Sequence, residues 1–373
     1  MLTGDLDRLL AAEISALPPP ANTTAGACTT AGTWQPAPPD SGAAPGTYGT
    51  PVAFRLASDH PVGPARIAMT LAAALRRADW VRSATVTGGY VTVTVTEDAL
   101  ARLAVRIATA GPACARSTAL VGATVPAPPE PDLAAASGWA DARRRLAAYL
   151  TGRLAEAAGA RTFSSLHAER IPVPGPRPRP LNSPVADAID FAGAGAIRYA
   201  LARIPPGAPA EVDPGHAAQH RLDIPAYAVR YAHAHAVSAL RQAADLGLSL
   251  GEAAEFGPRL LAHPSELVLL DELSWLPERV AGAARRARPD TFPRYLERLA
   301  GAYFDCQEQC PAAWPGLGRG GGAGTSTARG GGAGAGTAAG GREIVARLWL
   351  AAASATALRA GLDLLGVDAP DRL

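Results

Sequence analysis

The stretch from Arg342 to Leu373 constrains the fold more than any other part of the chain. Apolar residues fall at Ile344, Leu348, Ala351, Ala355, Leu358, Leu362 and Leu365, in steps of four and three. That spacing draws one apolar stripe down a helix. Arg347 and Arg359 lie off the stripe, and Ala352, Ala353 and Ser354 are small enough to admit a neighbouring helix closely. Gly366 is placed to stop the helix in a left-handed cap, with Val367 folding back and Pro370 preventing resumption. A helix stopped in this way is docked against a core.

The chain supplies partners for it. Helical periodicity runs over Val185–Arg203, Ile224–Leu246, a segment around Glu266–Leu276, Glu278–Arg288 and Phe292–Cys310. Between the last of these and the terminal helix lies Gly318–Gly341, which holds no apolar residue larger than alanine. It reads as a disordered insertion between two helices that still pack as neighbours. Its GxGxxG-like spellings follow no strand and mark no nucleotide site.

The N-terminal part differs. Residues 2–17 read as an amphipathic helix through Leu2, Leu6, Leu9 and Leu10, closed by Pro18-Pro19-Pro20, and residues 18–46 as a disordered loop. Val52, Phe54 and Leu56 alternate as in a strand but could equally open a helix. Pro64–Asp79 is a helix with Ile67, Leu71 and Leu75 inward. A hairpin follows, Ala84–Thr87 and Tyr90–Thr96 around Gly88-Gly89, with Val91, Val93 and Val95 on one face. A helix from Glu97 buries Leu100, Leu103 and Ile107. Residues 124–132 are an extended proline-rich linker. Trp139–Ala158 is a helix with Leu146, Leu150 and Leu154 on one line and Arg143-Arg144-Arg145 on one side. A second proline run spans 171–180. The expected fold is multidomain: a small α+β domain over residues 1–123, a proline-rich linker with one helix over 124–180, and an all-α bundle over 181–373.

Chemistry is narrowed by what is missing. All 35 basic residues are arginine, which excludes a P-loop phosphate lysine and a Schiff base. A net charge of +2 gives no broad basic field, so a folded RNA is permitted and not demanded. Cys306 and Cys310 are one helical turn apart, but no second chelating pair accompanies them, and no metal is expected. His233 and His235 point about 200° apart on a helix and cannot close on one ion. Steps of four instead group Tyr227, Tyr231 and His235 on one edge, and Val229, His233 and Val237 on another. The first edge suits stacking of unstacked bases or, equally, two half-buried core tyrosines. Arg279, Arg285, Arg286, Arg288, Arg294 and Arg298 gather around one interhelical turn, as a solvated helix end or a phosphate-gripping rim. Free thiols, an N-terminus with Asp5 and Asp7 ahead of any apolar run, and no uncharged span of membrane length point to the cytoplasm.

Three segments resemble arginyl-tRNA synthetases. Ala346-Arg347-Leu348 and Leu364-Leu365-Gly366-Val367 followed by Ala369-Pro370 are similar to that family's ARL, LLGV and AP ending. Ile224 to His235 resembles its NPxYYVQYAHAR helix, and Gly193 to Leu201 its GxGAIRY segment. Order and spacing agree, which implies a DALR-type anticodon-binding domain over residues 181–373. The helix–hairpin–helix part resembles the family's N-terminal additional domain, with Gly46 to Pro51 parallel to GDYATN and Gly89 to Thr92 parallel to GFxN.

The resemblance implies tRNA contacts at Tyr227, Arg230, Tyr231 and His235 toward the anticodon, and at Tyr90 and Thr92 toward the tRNA elbow. Arg285 and Arg286 would serve as a phosphate rim. Departures are plain: Ile224 replaces an Asn, Ala228 a Tyr, His235 an Arg and Thr92 an Asn, while Cys306 and Gln307 stand where the family has an aromatic pair. Only about fifty residues occupy the place of the catalytic domain, too few for repeated strand–helix units. The KMSKS loop is absent with every lysine, and His60-Pro61-Val62-Gly63 only echoes the HIGH signature. The expectation is a catalytic-domain-deleted relative with no cofactor and no catalytic residues, binding tRNA, chiefly tRNA(Arg), and neither membrane nor DNA. The alternatives are a module that docks a synthetase or another protein, and a true arginine–tRNA ligase.

Overall fold

The computed structural model describes residues 2–15, 43–58, 62–163, 184–312 and 333–373. Most of the loop at 18–46, together with His60, the proline run at 171–180 and residues 318–332, lies outside the described residues.

Thr47–Thr50 (β1), Val81–Thr87 (β2) and Tyr90–Val95 (β3) pair antiparallel in the order β1-β3-β2. Tyr48 and Ala84 both stand opposite Val93. Gly88 and Gly89 both adopt positive φ, which lets a two-residue turn match the twist of the hairpin. Alternation buries Val91, Val93 and Val95 on one face. That face is covered by α3 (Pro64–Leu75) through Ile67, Leu71 and Leu75, and α1 (Leu2–Ser15) packs on α3 through Leu6 and Leu10. The open segment at Val52–Ala57 is a helix, α2, whose first N–H is accepted by the Thr50 hydroxyl at 3.2 Å. The helix expected from Glu97 is two, α4 (Glu97–Ala101) and α5 (Leu103–Ala110), with Thr96 capping the first through a bond from Ala99 N–H.

The stretch read as a linker with one helix carries more structure. Thr124–Pro126 (β4) and Arg161–Phe163 (β5) pair in parallel, joined by α6 (Trp139–Ala157). This is a β-α-β unit. Strands of three residues are too short to show a period of two, so no periodicity marks them. Gly152 lets α6 ride on β4, since a Cβ there would lie 2.8 Å from Ala127 Cα.

The remaining helices are α7 (Pro184–Ala192), α8 (Ala194–Ala202), α9 (Pro214–Ala217), α10 (Pro225–Asp245), α11 (Pro264–Ser274), α12 (Leu276–Arg285), α13 (Thr291–Gln309) and α14 (Ala333–Leu365). The single helix expected over 185–203 breaks at Gly193. The terminal helix starts at Ala333, so part of the insertion expected to be disordered is helical. At the other end Gly366 takes φ +70° and Val367 N–H bonds to Leu362 O at 3.0 Å, closing the expected left-handed cap.

The single apolar stripe needs correction. Leu348, Leu358, Leu362 and Leu365 are buried, but so are Leu350, Ala353, Ser354, Ala357 and Ala360 off the stripe. α14 packs on α10 and α13 and also on α5 from the N-terminal lobe, so two faces are covered. It is long and apolar enough to cross a membrane, yet 78% of its apolar window is buried inside the protein, as in a core helix.

The two lobes share one apolar core. Gly46 N–H donates to Asp271 Oδ1 at 2.8 Å, the Tyr48 hydroxyl donates to Ser274 Oγ at 2.8 Å, and the Tyr48 ring lies 5.3 Å from that of Trp275. Cys114, Cys306 and Cys310 are free and buried, and burial pushes the Cys306 thiol up to about 12.

Candidate nucleic-acid interface

Helix α10 starts at Pro225, whose missing N–H is no loss in a first turn. Its small residues Ala232, Ala236, Ala239 and Ala243 are buried, which leaves the larger rings on its open edge. Tyr227, Tyr231 and His235 follow one another there, each half-buried. Tyr227 and Tyr231 stack at 5.6 Å between centroids and 14° between planes. His220 extends the row at one end, stacked on Tyr227 at 5.3 Å. At the other end Phe304 of α13 stacks on Tyr231 at 5.9 Å. His235 Nδ1 lies 2.8 Å from the buried Tyr303 hydroxyl. Burial pushes the His235 pKa down, so the ring is neutral near pH 7, and burial pushes the Tyr303 phenol up, so it keeps its proton. With Tyr303 donating to Nδ1, the Nε2–H remains as a donor.

A cleft of about 430 Å³ opens beside the row, between α10 and α13. Tyr231, His235 and Phe304 form its aromatic side, and Ser238, Gln242 and Gln307 add hydrogen-bonding groups. Flat rings next to a few amide and hydroxyl groups can stack a splayed base and read its edge.

His233 faces the other way, 1% exposed, with Nδ1 at 3.0 Å from Pro370 O. Burial lowers its pKa as well. Arg230 donates to Asp368 O at 3.3 Å and Arg241 to Asp371 O at 3.1 Å, so the back of α10 straps the chain's last residues. The two histidines are thus divided between faces, and among the described residues no cluster of His, Cys, Asp and Glu could hold a metal ion.

The other residues picked from the sequence lie on different elements. Tyr90 and Thr92 sit on the outer face of β3, half-buried; the Tyr90 ring lies against Gly49 of β1. Arg285 is bonded to Glu278 Oε1 at 3.3 Å, and Arg286 is exposed. Sequence reasoning missed His220, Tyr303, Phe304, Gln242 and the cleft. Attention there fell on Cys306 and Gln307 as a lost aromatic pair, whereas Tyr303 and Phe304, one turn earlier, supply the rings that face α10.

Residues 229–313 match the DALR anticodon binding domain. About half of the chain is homologous to arginine–tRNA ligases. The ligase of Pseudarthrobacter chlorophenolicus is 36% identical over 194 residues, 50% of this chain and 30% of that protein. The ligase of Micrococcus luteus is 35% identical over 187 residues with the same coverage. The chain thus spans about 30% of the length of the curated relatives it matches. Among solved structures, Thermus thermophilus arginyl-tRNA synthetase aligns over 100% of both chains with a TM-score of 0.58 at 15% identity, a likeness of fold.

Proposed function

We propose that this chain binds tRNA without charging it, with tRNA(Arg) as the preferred species and the cytoplasm as its place of action. The observation that carries the reading is the open aromatic row on α10 beside its polar cleft, with Tyr231, His235 and Phe304 inside the segment that matches an anticodon-binding domain. Stacking contributes about 1–3 kcal/mol per base, so two or three bases on this row would dominate recognition.

The non-catalytic part rests on separate grounds. Among the described residues the only parallel strand pair is β4–β5, and a nucleotide fold needs several such units. In a β-α-β unit the helix N-terminus is where a phosphate would sit. At the start of α6 the Asp141 carboxylate holds that position: it accepts Ser137 N–H at 3.2 Å and pairs with Arg144 and Arg145. Burial acts to raise the Asp141 pKa, but the Ser137 bond and the two arginines outweigh it and keep the group charged.

Filter binding with a tRNA(Arg) transcript and a random RNA of equal length tests the reading. Preference for tRNA(Arg) is expected. Equal binding would remove tRNA recognition and leave a protein partner as the occupant of the row.

A further inference from the structure

A second charged feature lies on the seam between the lobes, away from α10. Along α12, Glu278, Arg279, Gly282, Arg285 and Arg286 fall at i, i+1, i+4, i+7 and i+8, within about a third of the helix circumference. Gly282 leaves the middle of this face bare, and the Arg286 guanidinium folds over it, its Nη2 at 3.1 Å from where a Cβ would stand. Arg279 lies over the Trp275 ring at 5.3 Å, a cation–π contact that fixes the plane of its fork. Arg298 comes in from α13, over Tyr295 at 5.7 Å.

Arg279, Arg285, Arg286 and Arg298 gather like charge on the C-terminal lobe's side of this seam. The carboxylates near them are few: Glu278 pairs with Arg285, Asp271 accepts from Gly46, and Glu272 reaches Arg298 only at 3.8 Å, its Oε2 buried without a hydrogen bond. Two guanidinium nitrogens on this face, Arg279 Nε and Arg285 Nη2, are buried with no partner. Buried donors of this kind are nearly always satisfied, by an ordered water or a bound ion where protein groups are lacking. A fork of several guanidinium groups fits the oxygens of one phosphate.

We propose that Arg279, Arg285 and Arg286 of α12 form a phosphate-binding cradle at the seam between the two lobes. Its ligand is a phosphate group, carried by an RNA backbone or free as a small polyphosphate. The RNA source rests on the function proposed above; the cradle itself does not.

Two titrations on the intact chain test it. In calorimetry with inorganic pyrophosphate the wild type binds saturably, and Arg279→Gln and the exposed Arg286→Gln each weaken binding about tenfold, the effect of removing one charge-assisted contact. Arg286→Gln guards against misfolding of the buried variant, and both are checked by thermal melting. In filter binding with tRNA, Arg286→Gln reduces the slope of log K against log salt by about one if the phosphate belongs to RNA. An unchanged slope with pyrophosphate binding intact assigns the cradle to a free phosphate. Pyrophosphate binding in a wild type that ignores tRNA keeps the cradle and removes the tRNA reading. No saturable pyrophosphate binding, or equal binding by wild type and Arg286→Gln, overturns the cradle even where tRNA binds well.

Discussion

Nδ1 of His235 and the hydroxyl of Tyr303, 2.8 Å apart, tie α10 to α13 beneath the aromatic row. The bond fixes the tilt of the His235 ring, and His235 in turn stands 6.1 Å from Tyr231. Tyr303→Phe removes the hydroxyl and leaves Nδ1 half-buried without its partner. The protein should stay folded with a loss of about 1–3 kcal/mol, read from denaturant melts. An unchanged midpoint would mean that water replaces the hydroxyl and the bond orients nothing.

Tyr90 depends on Gly49 in the same direct way. A Cβ on residue 49 would overlap the Tyr90 ring, its nearest carbon being 2.6 Å away. Gly49→Ala should therefore destabilise the sheet by about 1–3 kcal/mol, as overpacking does. Adding Tyr90→Ala should recover part of that loss. If the double variant is less stable than the sum of the single ones, the ring does not occupy the space above Gly49.

The seam between the lobes should respond to pH through Asp271. Burial raises its pKa from an ordinary 3.8 to about 6, against the opposing bond from Gly46 N–H. A carboxyl raised on folding favours the folded state below its unfolded pKa, and that contribution is lost as pH rises through about 6. Asp271→Asn cannot titrate. The melting temperature of the variant minus that of wild type should thus increase between pH 4 and pH 8. A gap that stays constant across that range would mean that Asp271 is an ordinary exposed carboxylate.

Adenylate chemistry should be absent. The chain has no lysine, and among the described residues β4–β5 is the one parallel strand pair, too little for a nucleotide fold. Exchange of pyrophosphate into ATP, with arginine and tRNA supplied, should remain at background in purified protein. Exchange that persists after contaminating synthetase is removed would return the chain to the ligases.

Much of the architecture was legible because long helices repeat their pattern. The α14 stripe, the Gly366 cap and the Val91–Val93–Val95 face all follow from period and turn chemistry. The second buried face of α14 was not legible, since alanine is ambiguous between core and surface and the partner α5 comes from more than two hundred residues earlier. β4 and β5 escaped because three residues carry no period. At the interface, steps of four along α10 grouped Tyr227, Tyr231 and His235 correctly. Phe304, Tyr303 and His220 join them only through tertiary packing, which no spacing within one helix reveals.

The central claim is that the row on α10 takes nucleobases, and one comparison reaches it directly: filter binding of tRNA(Arg) by wild type and Tyr231→Ala at several salt concentrations. Tyr231 touches Tyr227, His235 and Phe304, so its removal opens the middle of the stack. The affinity should fall about five- to a hundred-fold with little change in salt slope, because a stack and no phosphate contact is lost. Equal affinity in a folded Tyr231→Ala, or a loss matched by unfolding while Tyr231→Phe behaves as wild type without tRNA preference, would contradict the account and return Tyr231 to the core.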